Sequence, residues 1–244
     1  MYKRQVKDSP RKNISTKPDS KSFMEIMSLL YKALSSSKSL VFTIMAGTLY
    51  HVVLGAAQFE VIWAVEDKGF NPNTFGQING WIFVVFGVLG SLFGGIASDW
   101  TLRKYNLPRT WFLLILTLLF MPLAFTRYLD TDSILFWVGI CSSAFSLGCF
   151  YGPVFAVIQE LVPPTIKGTV VAFNLLCLNM LGIALGSILF GILADYAVTQ
   201  GYENPYTNLL VGFSCVFLVF GPILYYLAGR FYEQDKKALI EKFN

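Results

Sequence analysis

The chain carries one histidine, His51, and nine residues later a glutamate, Glu60, both inside a stretch of otherwise apolar residues. An ionisable group placed in hydrocarbon costs several kcal/mol unless a partner or water meets it, so each such residue is a candidate for function. Histidine titrates near neutral pH, which suits proton exchange. On a helix, Gly47, Thr48, Gly55 and Gln58 share the His51 face, which reads as a cavity wall, while Glu60 points the opposite way, close enough to the outer surface to be solvated. Further along, Ser142, Ser143, Ser146 and Tyr151 gather before Pro153, a residue that breaks one backbone hydrogen bond and kinks a helix. Asn179 lies beside Gly182 and Gly186. His51, Gln58, Ser146, Tyr151 and Asn179 are therefore the candidate solute-binding residues, although small-residue packing explains the serines equally well.

Catalysis inside a membrane would need a different set. Two histidines four apart with a glutamate would bind zinc, and paired aspartates or a nucleophile beside its base would cleave bonds. A single histidine excludes the first. Asp99 and Asp195 fall at opposite membrane faces, roughly 30 Å apart, and cannot form a dyad. Cys141, Cys149, Cys177 and Cys215 all lie within apolar spans, with no Cys-x-x-Cys pair, and read as reduced packing residues. Neither an enzyme, a metal site nor a cofactor is expected.

The elements that hold these residues follow from composition. Of 244 residues 55% are hydrophobic and only 14% charged, well below the roughly 25% of a soluble domain. Six apolar stretches, 40 to 65, 75 to 97, 110 to 126, 133 to 158, 169 to 194 and 207 to 228, reach or approach the roughly 20 residues that cross a bilayer. Nothing alternates with period two, so the spans are helices. Lys and Arg are unevenly placed. Residues 1 to 38 hold nine of the nineteen, and with the N-terminus inside, seventeen fall on inner segments, leaving only Lys68 and Arg127 outside. Both termini are expected in the cytoplasm, as for a multi-pass protein of the plasma or inner membrane.

Residues 1 to 38 read as a basic cytoplasmic arm ending in an interfacial helix, because Phe23, Ile26, Met27, Leu30 and Leu34 share one face. The arm is too long, and the run after Leu40 too complete a span, for a signal peptide. It is expected to lie against membrane lipid and not to bind nucleic acid. Asn13, Ile14 and Ser15 match a glycosylation acceptor on the wrong side. Residues 39 to 228 form the transmembrane domain and 229 to 244 a cytoplasmic tail.

The sharpest motif closes the second span: Gly95, Asp99, Arg103 and Lys104, at the spacing Gly, three residues, Asp, then two bases after three more. It resembles the loop signature between the second and third helices of each half in the major facilitator superfamily, with Trp100 in place of a base and Leu102 in place of a glycine. Glu160, Pro163, Pro164, Lys167 and Gly168 resemble the family's acid, Pro, base, Gly run between its tenth and eleventh helices, with Lys for the commoner Arg. The basic arm resembles the loop joining the two halves. Within the family, Gly55, Ala56 and Trp63 with Gly94, Gly95 and Asp99 look most like spinster-type or organic-anion porters.

The resemblance implies an all-α integral membrane fold equivalent to the C-terminal six-helix half. It implies alternating-access transport of a small organic solute, an organic anion or amphipathic molecule, with proton coupling. Asp99, Arg103 and Lys104 become the expected gate, with Glu160 and Lys167 a second pair at the same surface. Independently, Gly95, Ile96 and Asp99 recur 96 positions later as Gly191, Ile192 and Asp195 on the opposite face, as in an inverted three-plus-three repeat. Gly76, Gly80, Gly87, Gly90 and Gly94 line one side of the second span, and Asn179, Gly182 and Gly186 one side of the fifth. These close-packing faces are expected to await a missing N-terminal half or, less readily, a second copy in a homodimer. The featureless third and sixth spans are expected to face lipid. A noncatalytic membrane adaptor is the alternative, but it needs no gate-like charged loops.

Overall fold

The computed structural model describes residues 22–243, with side chains to residue 238. The arm before residue 22, including Asn13, Ile14 and Ser15, lies outside the described residues. Among the described residues, six helices are long and apolar enough to cross a membrane. The elements are α1 (Phe23–Ser36), α2 (Lys38–Ala57), α3 (Glu60–Glu66), α4 (Pro72–Tyr105), α5 (Arg109–Phe125), α6 (Ile134–Glu160), α7 (Lys167–Leu176), α8 (Leu185–Thr199) and α9 (Pro205–Phe243). A single 3₁₀ turn, Thr126–Tyr128, extends α5, and a π-helical segment, Cys177–Ala184, joins α7 to α8 as one fifth span.

The helix ends follow local chemistry. The Ser22 N–H donates to the Glu25 carboxylate at 3.1 Å, opening α1. Asn71 caps α4 through the Asn73 and Thr74 N–H groups, with Pro72 at the first helical position, where its missing donor costs nothing. Asn106 ends the same helix in the left-handed conformation, φ 53°.

Two boundaries differ from the sequence reading. The first span does not run unbroken to residue 65: bonds from the Gln58 N–H to the Gly55 carbonyl (3.3 Å) and from Phe59 to Ala56 (3.1 Å) tighten the chain, and α3 restarts at Glu60. The sixth span and the tail are one helix, continuous across residue 229. Its extension is anchored where Asp235, buried, accepts from the Ser39 N–H (2.7 Å) and the Ser37 hydroxyl (3.1 Å). A carboxylate at the start of α2 satisfies donors that the helix leaves open and complements its dipole.

The glycine faces are partly filled from within the chain. A Cβ at Gly90 or Gly94 would strike the backbone of Phe145 or Cys149, so α6 of the same chain fills that part of the α4 glycine side, while a Cβ at Gly76, Gly80 or Gly87 would stand in open space. A Cβ at Gly186 would likewise strike Val52, so the fifth span is closed against α2. Close backbone approach within the chain explains Gly90, Gly94 and Gly186. What α4 leaves uncovered is its opposite, bulky side, with Trp81, Val84, Val88, Leu92 and Ile96 exposed. Only 11% of the second span's apolar window is buried within the chain, against 50% for the first and 33% for the third, so α4 is more peripheral than α5. The third span buries Phe112, Leu113 and Met121 while Ile115, Leu118 and Leu119 face outward.

Candidate functional site

Charged side chains gather at the two ends of the bundle. At the end that holds the start of α2 and the last turns of α9, the chain turns back after Pro108 and places Arg109 as the first residue of α5. Its guanidinium bonds Asp99 of α4 at 2.6 Å and pairs through its other amine with Glu160, the last residue of α6. The Tyr232 hydroxyl of α9 donates to the second Glu160 oxygen. One planar fork thus holds two carboxylates and, through them, four helices, the bidentate role that suits arginine better than lysine.

The expected gate residues are only partly brought together within the chain. Arg103 and Lys104 are exposed on the outer side of α4, and Lys104 lies 4.9 Å from the centre of the Trp100 ring. The helix continues to Tyr105, so its pitch carries both bases away from Arg109. Asp99 pairs with Arg109 instead of Arg103, and Glu160 with Arg109 instead of Lys167. Sequence reading counted Arg109 only as an inner positive charge; its signal was its position immediately after a helix-initiating proline.

At the other end lies a pair that the sequence reading did not anticipate. Glu60 is 5% exposed, not solvated, and Arg127, taken for a loop charge, is 7% exposed. The two form an ion pair. The Asn79 amide donates to the second Glu60 oxygen at 3.0 Å, and Arg127 stands over the Trp63 ring, 5.1 Å from its centre, and reaches the Ser143 hydroxyl at 3.5 Å. Gly139 permits this, because a Cβ there would collide with the Arg127 backbone. Beside the pair lies an internal cavity of about 60 Å³, lined partly by Tyr50, Ser143, Ser146 and Ser214, enough for a few waters.

Between the two ends, His51 packs among α2, α6 and the π-helical segment. Its Nδ1 meets the Gly47 carbonyl at 2.8 Å and its Nε2 the Tyr151 hydroxyl at 3.1 Å. A carbonyl only accepts, so Nδ1 carries a proton and Nε2 accepts from Tyr151. A Cβ at Gly182 would collide with the His51 side chain, and the wider π turn brings that glycine to it.

The five candidate solute residues do not form one site within this chain. His51 and Tyr151 are joined; Ser146 faces the internal cavity; Gln58 is exposed; Asn179 is exposed and donates to its own helix at the Leu175 carbonyl, 2.8 Å. His51 is 2% exposed and is not an open wall. Among the described residues, no group of three or more metal-ligating side chains gathers.

Among the described residues, six helices long and apolar enough to span a membrane, with arginine-bridged carboxylates at one end, define a multi-pass membrane protein. Residues 2–187 match the family model described as Major Facilitator Superfamily, and the chain belongs to that family. A search of the curated proteins found no match. Among solved structures it is similar to a bacterial homolog of the human lysosomal transporter Spinster in an inward-facing and occupied conformation, with TM-score 0.69 at 17% identity over 83% of this chain and 51% of that one. A bacterial Spinster homolog in an inward-facing and unoccupied conformation gives 0.62 at 15% identity over 93% and 52%. At these identities the likeness is one of fold, and this chain spans about half the length of each.

Proposed function

We propose that the chain is one six-helix half of a secondary transporter that moves a small organic solute, an organic anion or amphipathic molecule, by alternating access with proton coupling. The observation that carries the reading is the Asp99–Arg109–Glu160 bridge, a charge cluster shared by four helices at one membrane face. Such a cluster holds the half rigid and supplies the latch that parts as two halves rock. Arg103, Lys104 and Lys167 are then outer members of the latch, available to the facing half. The His51–Tyr151 pair is the proton-exchanging group of this half, and Ser146, Gln58 and Asn179 meet solute only once a second half closes the pathway. That second half, a separate or preceding N-terminal unit or less readily a second copy, covers the bulky apolar side of α4.

The reading requires the bridge to be cytoplasmic, as the distribution of Lys and Arg directs. A membrane-impermeant thiol reagent added outside is expected to label a cysteine at Asn73 or Asn204 and to spare one at Tyr105 or Thr165. The reverse pattern would place the latch outside and overturn the mechanism.

A further inference from the structure

A groove runs along the outer face of α2 between the fifth and sixth spans, with a volume of about 560 Å³. Leu34 of α1, Met45 and Thr48 of α2, Leu181 of the π-helical segment, and Phe220 and Ile223 of α9 are among its walls. Thr48, its one hydroxyl, already donates to the Ile44 carbonyl of its own helix at 2.9 Å. Nothing in the walls would recognise a polar solute. Along α2 the lining extends from Val41 to Val52, twelve residues or about 17 Å of helix, which is close to one leaflet of a hydrocarbon core of roughly 30 Å.

The groove has a charged mouth. Lys38 stands three residues before Val41 and seven before Met45, and Arg230 seven after Ile223, so both continue the lining stripes toward the end that holds the start of α2 and the last turns of α9. Both are exposed. Lys38 lies 5.0 Å from the centre of the Phe231 ring, which stacks on Phe42, so the mouth is held between α2 and α9. Two acids border the mouth: Glu233, three residues after Arg230 and so its neighbour on the surface of α9, and Asp235, whose carboxylate is already engaged by the Ser37 hydroxyl and the Ser39 N–H. Nearby, α1 exposes Phe23, Met24 and Tyr31, as a helix lying at headgroup depth would.

We propose that this groove binds an anionic phospholipid, with one acyl chain along α2 and the headgroup phosphate between Lys38 and Arg230. A chain-length apolar trough ending in two cations matches that molecule, and a zwitterionic headgroup brings a cation of its own that these two repel. Anionic lipid is concentrated in the cytoplasmic leaflet, where the proposed orientation places the mouth. The site lies on the lipid side of α2, away from the His51–Tyr151 pair, and is separate from the solute pathway.

The test is lipid retention by the full chain in detergent micelles, read by native mass spectrometry with dioleoyl phosphatidylglycerol or dioleoyl phosphatidylcholine added. A cation beside a phosphate is worth about fivefold in binding, so the unaltered chain is expected to retain phosphatidylglycerol on the order of tenfold better than phosphatidylcholine. Lys38→Gln with Arg230→Gln is expected to erase that preference and leave phosphatidylcholine retention unchanged, while Met45→Trp, which fills the groove, lowers retention of both. Should the double variant fold poorly, Arg230→Gln alone, at an exposed position, must lose about fivefold. Equal retention of the two lipids by the unaltered chain, or an undiminished preference in the charge variant, overturns the proposal. A micelle has no inside or outside, so that failure would leave the orientation and the transport reading standing.

Discussion

Arg127→Met is expected to destabilise the protein by about 3–5 kcal/mol, the largest stability effect of any single substitution considered, because it strands a carboxylate in the bundle. Glu60 is 5% exposed and shares its charge with Arg127, while Asn79 supplies only one neutral hydrogen bond. Removing both charges together leaves nothing uncompensated. The double variant Glu60→Gln, Arg127→Met is therefore expected to recover most of the loss, since replacing a buried pair by uncharged residues is often close to neutral. Thermal unfolding in detergent, followed by tryptophan fluorescence, reads both, and Trp63 lies against the Arg127 guanidinium as an internal reporter. A single variant within 1 kcal/mol of the parent would show that water already solvates the pair through the neighbouring cavity.

The second large effect falls on function. Arg109→Gln removes the shared partner of Asp99 and Glu160 at one stroke and leaves two carboxylates near one another. Transport by the assembled carrier is expected to fall at least about tenfold, a loss of about 1.4 kcal/mol or more, with membrane insertion intact. Asp99→Asn is expected to act in the same direction. Arg103→Gln, which removes an outer member of the latch with no bond to Asp99, is expected to lower transport by less than Arg109→Gln does. If Arg103→Gln were as damaging as Arg109→Gln, the latch would follow the order of the motif and not the geometry.

That contrast also marks what sequence can convey. Six spans, their helical nature and the family were legible because hydrocarbon enforces long apolar runs and intrahelical hydrogen bonds. Residue pairing was not. Asp99 and Arg103 are four apart, the spacing of helix neighbours, yet Asp99 turns to a base ten residues away because Pro108 folds the chain back on itself. Glu60 and Arg127 are 67 positions apart and each looked like an interfacial charge; only the break after Ala57 and the close approach allowed by Gly139 bring them together. Asp235 looked like a tail residue because a cap on a helix start nearly two hundred positions earlier leaves no local pattern. A glycine stripe marks a face that can pack closely but does not name its partner: α6 and α2 of the same chain meet Gly90, Gly94 and Gly186, while Gly76, Gly80 and Gly87 stand open.

The central claim is that this chain carries solute only together with a second six-helix unit. The most direct measurement is to purify the 244-residue chain, determine its mass in detergent, reconstitute it in vesicles and follow uptake of labelled amphipathic organic anions under an imposed proton gradient. A monomeric preparation is expected to give uptake no greater than empty vesicles, with proton-dependent uptake appearing only in preparations whose mass includes a second unit. A strictly monomeric chain that still moves solute would contradict the account.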